Sequence, residues 1–206
     1  MLKIQLAGAS KRFQYEWIFK NLSLELSEGD SLAITGSNGS GKSTLLKCMT
    51  GAIPLSDGKI HYQENGHSIP ESDWFRKLSI ATPYLELPEE FTLTELLEFH
   101  FKFKKIKPGL DLDQLVEILY LEPHKNKFVS QFSSGMKQRL KLGLALFSES
   151  SLVFLDEPTS NLDKKGISWY REMVSTYIQN QILVICSNEQ REYDFCKQKI
   201  KLEDYK

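Results

Sequence analysis

In the stretch Gly36-Ser37-Asn38-Gly39-Ser40-Gly41-Lys42-Ser43-Thr44, the first eight residues match the pattern G-x-x-x-x-G-K-[ST]. The glycines let the backbone curl so that successive N–H groups converge on phosphate oxygens. A helix that starts at the end of such a loop adds unpaired N–H groups and a partial positive charge. Lys42 can set its ammonium on the β- and γ-phosphates of a nucleotide, and Ser43 can offer its hydroxyl to Mg²⁺. A second set of candidates lies at Leu152-Val-Phe-Leu-Asp156-Glu157, four apolar residues followed by two carboxylates. A buried strand ending there would deliver Asp156 to a metal beside the loop. Glu157 points elsewhere and can polarise a water for attack on a γ-phosphate.

These groups need a particular scaffold. Ser31–Thr35 reads as a buried strand leading into the loop, and Leu45–Met49 as the first turns of the helix after it. Leu152–Leu155 and Ile182–Cys186 are continuous apolar runs suited to central parallel strands. Residues 2–6 and 22–26 alternate apolar and polar, the pattern of half-buried antiparallel strands. Lys59–Tyr62 and Leu78–Ala81 are further short strands, separated by a polar, turn-rich stretch at 63–73. Residues 94–105 and 112–121 carry apolar residues at helical spacing, with Asp111 as N-cap of the second. Ser133–Phe147 reads as another helix, one near 164–178 as the next, then a short charged one near 189–197 and a last strand near 199–202. The expected architecture is α/β over a single domain, 1–206. It has a phosphate-loop core, an N-terminal antiparallel β-subdomain and a helical subdomain inserted at about 86–147.

The totals narrow the function classes. The chain has 206 residues, 41% of them hydrophobic, enough for a substantial core, and a net charge of −1 gives no general attraction for nucleic acid or anionic lipid. Cys48, Cys186 and Cys196 are widely spaced, which points to free thiols in a reducing compartment. No apolar run approaches the ~20 residues of a membrane-spanning helix, and the alternating start is unlike a signal peptide. A soluble, cytoplasmic protein is expected.

Phe132-Ser133-Ser134-Gly135-Met136-Lys-Gln-Arg139 resembles the signature sequence of the ATP-binding cassette (ABC) family, usually Leu-Ser-Gly-Gly-Gln followed by basic residues. Ser133 and Gly135 match; Ser134 stands at the first glycine position and Met136 at the glutamine. Ser160-Asn161-Leu-Asp163 resembles the family's D-loop, and the order and spacing of these elements agree over essentially the whole chain. The resemblance implies an ATPase subunit using ATP and Mg²⁺. It implies a head-to-tail dimer with a second copy or a related cassette, in which Ser133, Ser134 and Gly135 of one copy face the γ-phosphate held by the loop of the other. Asn161 and Asp163 would lie at that interface beside Ser133 and Gly135. It also implies a separate membrane permease that holds the subunit at the inner face of the membrane, and no nucleic-acid partner.

Two positions depart from the family's pattern. The glutamine that contacts Mg²⁺ falls at Tyr84, aligned on Phe91-Thr-Leu-Thr94. The histidine that touches the γ-phosphate is replaced by Asn188, which can donate a hydrogen bond but carries no charge. Stacking on adenine is expected of Phe13, with Tyr15 and Trp17 as alternatives. The leading function is ATP hydrolysis coupled to transport. The alternatives are a soluble ABC protein acting on nucleic acid or ribosomes and a nucleotide-gated assembly module with little turnover.

Overall fold

The computed structural model describes residues 1–206. In chain order the elements are β1 (Leu2–Phe13), β2 (Glu16–Ser27), β3 (Ser31–Thr35), α1 (Lys42–Met49), β4 (Asp57–Glu64), β5 (His67–Ile69), α2 (Trp74–Lys77), β6 (Leu78–Ala81), α3 (Leu93–Phe103), α4 (Leu112–Ile118), α5 (Ser134–Phe147), β7 (Leu152–Asp156), α6 (Lys164–Tyr177), β8 (Ile182–Cys186), α7 (Gln190–Tyr193) and β9 (Gln198–Lys201). The chain forms two compact units: residues 1–78, 151–157 and 180–206, and residues 79–150 and 158–179.

The first unit holds an antiparallel sheet in the order β2-β1-β4-β5 and the parallel ladder β7-β8-β3-β9. The alternating segments at 2–6 and 22–26 are the most regular part of a longer pair. Ile4 faces Leu26 and Leu6 faces Leu24, and the ladder then continues through register shifts to Phe13 opposite Glu16. Those shifts carry the strands across the aromatic cluster, so each runs to 12 residues. The stretch 63–73 is more ordered than its polarity predicts. Asn65 and Gly66 both take positive φ, 52° and 83°, closing a two-residue hairpin between β4 and β5. Trp74 then donates its indole N–H to Ile69 O and stacks on Tyr62, whose hydroxyl reaches Met49 O at the end of α1.

The three apolar runs of the parallel ladder are buried on both faces, which is why they show no alternation. Register aligns their carboxyl ends: Asp156 pairs with Cys186, and Ile34 pairs with both Cys186 and Ile200. The chemistry-bearing residues lie at or just past the last residues of these strands, where open parallel sheets present their ligand sites.

The second unit is helical. Thr92 and Asp111 each close a capping box, with Glu95 and Gln114, so α3 and α4 begin where side-chain oxygens replace missing backbone acceptors. Gly143 permits close packing of α5. A Cβ there would lie 2.6 Å from Leu119 Cδ2. Trp169 of α6 donates to Ile118 O at 2.8 Å. Phe91, Phe99 and Phe103 stack edge to face in series, and Phe103 is largely exposed. No helix is long and apolar enough to cross a membrane.

Candidate functional site

β3 ends at Thr35, whose Oγ1 donates to Ile200 O at 3.0 Å, and the chain turns at once into the glycine-rich loop. Gly41 is the N-cap of α1 with φ 108°, a conformation that a side chain resists. It is also crowded: an added Cβ would stand 2.2 Å from Ile18 Cγ2 on β2. Lys42 is buried and folds its ammonium back onto the loop, donating to Gly36 O at 2.7 Å and Ser37 O at 3.1 Å. The Ser40 hydroxyl is buried with no hydrogen-bond partner.

Asp156, at the carboxyl end of β7, is 2% exposed. Burial raises its pKa, a hydrogen bond from Ser43 and the charges of Lys42 and Lys47 oppose the rise, and Glu157 adds to it. One carboxylate oxygen, Oδ1, is buried and unpaired. An orphaned carboxylate oxygen beside a serine hydroxyl is the kind of hard oxygen pair that fits Mg²⁺, so the residues present suit the ion. Glu157 follows with φ 45°, rare for a side-chain-bearing residue, and its N–H donates to Cys186 O at 2.9 Å. That bond ties the turn after β7 to the end of β8. Two residues beyond β8, Asn188 Nδ2 donates to Asn38 Oδ1 in the loop at 3.3 Å. The first unit thus brings together Gly36–Thr44, Asp156 and Asn188, with Glu157 next in the chain.

Of the aromatic candidates, Phe13 is half exposed with the Lys11 ammonium 5.0 Å from its ring centre, and Tyr15 is fully exposed in the turn. Trp17 packs beneath Arg12 and Lys20. Ile18, next to Trp17, is the residue that touches the loop through Gly41, and its apolar identity gave no sign of this. Glu203 is a second residue without a sequence signal. Its carboxylate accepts from both the N–H and the hydroxyl of Ser37, 166 positions away.

In the second unit, Ser133 is the N-cap of α5 and its Oγ accepts from Met136 N at 3.2 Å. Ser134 and Gly135 form the first turn. A Cβ on Gly135 would lie 3.1 Å from Asn161 O, so a glycine lets the turn at 160–163 approach the helix start. Asn161 takes φ 63°, which asparagine tolerates, and Asp163 caps α6 by accepting from Gly166 N. Buried Gln138 holds Pro158 O at 2.8 Å. Ser133, Gly135, Asn161 and Asp163 are therefore neighbours within this unit. Tyr84 sits exposed in a turn closed by Leu85 N and Thr82 O, with Lys141 donating to Pro83 O beside it.

A strand, glycine loop and helix with a buried lysine, and an aspartate with one orphaned oxygen on a parallel strand of the same sheet, one strand removed, define a phosphate-loop nucleotide-binding protein. The ABC transporter profile matches residues 19–160. The chain belongs to the ABC transporter family, and within it to the ATP-binding, ATP-hydrolysing subunits. The uncharacterized ABC transporter ATP-binding protein YybJ of Bacillus subtilis (strain 168) is 27% identical over 190 residues, 92% of this chain and 86% of its own length. The lantibiotic transport ATP-binding protein SrtF of Streptococcus pyogenes is 30% identical over 193 residues, 91% of this chain and 80% of its own. Some other relatives are longer, and the chain spans 55% and 45% of two of them. In fold, it superposes on the dimeric ATP-binding cassette MJ0796 bound to ADP and Pi with a TM-score of 0.81, at 20% identity, over 97% of this chain and 94% of that one.

Proposed function

We propose that the chain works as one cassette, 1–206 with its helical part inserted at about 86–147, that closes on ATP as a head-to-tail dimer and drives a separate membrane permease. The observation that carries this is the orphaned Asp156 Oδ1 beside Ser43, at the end of the loop that buries Lys42. Lys42 leaves the Gly36 and Ser37 carbonyls for the β- and γ-phosphates, and the loop N–H groups of Gly39–Thr44 cradle them. Ser43 and Asp156 hold Mg²⁺, which neutralises phosphate charge when bound. Tyr84 stands where the family's metal-contacting glutamine is expected. Glu157 is the base that accepts the proton of the attacking water, and Asn188 donates to the γ-phosphate. Phe13 stacks on the adenine.

Ser133, Ser134 and Gly135 complete the site of the opposite copy, with α5's first N–H groups toward the phosphate. The contact of Gly135 with the 160–163 turn gives Asn161 and Asp163 a path to sense that closure. The cassette operates at the inner face of the membrane, held there by the permease. The relatives' names include both an Fe(3+) ions import and a Nod factor export ATP-binding protein. Labelled-ATP binding with Mg²⁺ tests the assignment: Lys42→Ala is expected to abolish productive binding while its thermal unfolding stays near wild type. Unchanged affinity would remove the loop from the mechanism.

A further inference from the structure

We infer that Glu203 is a positioning residue for the phosphate loop, pinning its first peptide from the side opposite Lys42. This rests on the reading of the loop as an ATP site. The Gly36 carbonyl and the Ser37 N–H belong to one planar trans peptide and point in opposite directions. Lys42 Nζ donates to the carbonyl at 2.7 Å. Glu203 Oε1 accepts from the N–H at 2.7 Å and from Ser37 Oγ at 2.9 Å. A cation and an anion therefore fix the two edges of the same peptide.

The backbone explains how a residue so distant in sequence arrives there. β3 and β9 pair in parallel up to Thr35 opposite Lys201. Pairing stops as the chain enters the glycine loop on one strand and a 3₁₀ turn, Leu202–Tyr205, on the other. Leu202 is fully buried, and its Cδ2 lies 3.4 Å from where a Gly41 Cβ would be. Glu203 Oε2 lies 2.6 Å from where a Gly36 Cβ would be. The segment thus covers both glycines that frame the loop, and the carboxylate takes over where strand pairing ends. Hydrogen bonds from the Ser37 N–H, from its own backbone N–H and from the Ser37 hydroxyl hold the Glu203 carboxyl at about 2, well below the usual carboxylate range, so it is an anion at neutral pH.

The consequence is preorganisation. When nucleotide draws Lys42 off the Gly36 carbonyl, Glu203 still holds the peptide and keeps the loop open for phosphate. Glu203→Ala is expected to raise the Kd for MgATP on the order of tenfold, about the loss of one hydrogen bond to a charged group. KM rises in step while kcat changes little. Glu203→Gln keeps an acceptor for the Ser37 N–H and is expected to recover most of the affinity. Hydrogen exchange over residues 36–41 without nucleotide is expected to quicken in Glu203→Ala. Unchanged Kd, tighter binding in either variant, or a loss confined to kcat would overturn the assignment; tighter binding would mean that the carboxylate opposes phosphate. A lowered unfolding midpoint in Glu203→Ala leaves the Glu203→Gln comparison to decide. If wild type binds no ATP, the nucleotide reading fails, and the exchange experiment alone decides the clamp: unchanged exchange in Glu203→Ala refutes it.

Discussion

Gly41→Ala is the substitution whose cost follows most directly from the geometry. At φ 108° an alanine carries backbone strain on the order of 1–3 kcal/mol. Its Cβ would sit 2.2 Å from Ile18 Cγ2, against an ordinary carbon–carbon separation of about 3.5 Å. Ile18 is β-branched and fixed in a strand, so it cannot swing away at little cost. Overpacking of that kind adds about 1–3 kcal/mol. Together these amount to about 2–6 kcal/mol, which predicts at least a ~30-fold loss of ATP affinity if the loop must keep its shape to bind. The partner change separates the two contributions. Ile18 Cβ is 3.7 Å from the added methyl, an ordinary contact, so Ile18→Ala removes the overlap and leaves the strain. Equilibrium ATP binding by wild type, both single variants and the double variant completes the cycle. The penalty of Gly41→Ala is expected to be about tenfold smaller on the Ile18→Ala background. Wild-type affinity in Gly41→Ala, or additive effects, would refute the claim that β2 braces the loop.

Two further substitutions probe chemistry and charge. Asn188→His is expected to raise phosphate release modestly by putting a chargeable donor near the γ-phosphate, and Asn188→Ala to lower it; equal rates for Asn188→Ala and wild type would leave Asn188 with only its bond to Asn38. Lys107 is buried and donates to Tyr177 O, and burial lowers its pKa from 10.5 to about 8. The unfolded chain binds the extra proton between those values, so this group makes stability rise as pH goes from about 8 to 10.5, with a constant penalty below. The stability difference between wild type and Lys107→Met, measured by denaturant unfolding across that window, should shift in favour of wild type with rising pH; a difference independent of pH would contradict this.

What was legible in the sequence was local. The Gly36–Thr44 loop, the Asp156-Glu157 pair after an apolar run, and the cap Asp111 each declare themselves within a few residues, because phosphate cradling and helix capping are short-range geometries. The strand β5 had its signal too, in Asn65-Gly66, but it is only three residues long among polar neighbours. β1 and β2 outrun their alternating cores because register shifts break the period without ending the pairing. The short helix α7 covers only Gln190–Tyr193 of the charged stretch expected to be helical near 189–197. Ile18 and Glu203 were not legible, since both act on the loop through tertiary contacts that unite residues distant in the chain: Ile18 by packing its side chain against Gly41, Glu203 by way of the β3–β9 pairing. The neighbourhood of Gly135 and Asn161 is of the same kind, though there the resemblance of each motif pointed to it.

The most direct test of the account is Glu157→Gln in the presence of MgATP. The amide keeps the shape of the side chain and loses its capacity to accept a proton, a change that typically slows hydrolysis by about 10²–10⁴-fold. Binding is expected to survive, so the ATP-closed form accumulates. Size-exclusion chromatography with light scattering should then show a dimer that wild type lacks under the same conditions and that disappears when Lys42→Ala is added. A monomer at saturating MgATP, or turnover at the wild-type rate, would contradict it.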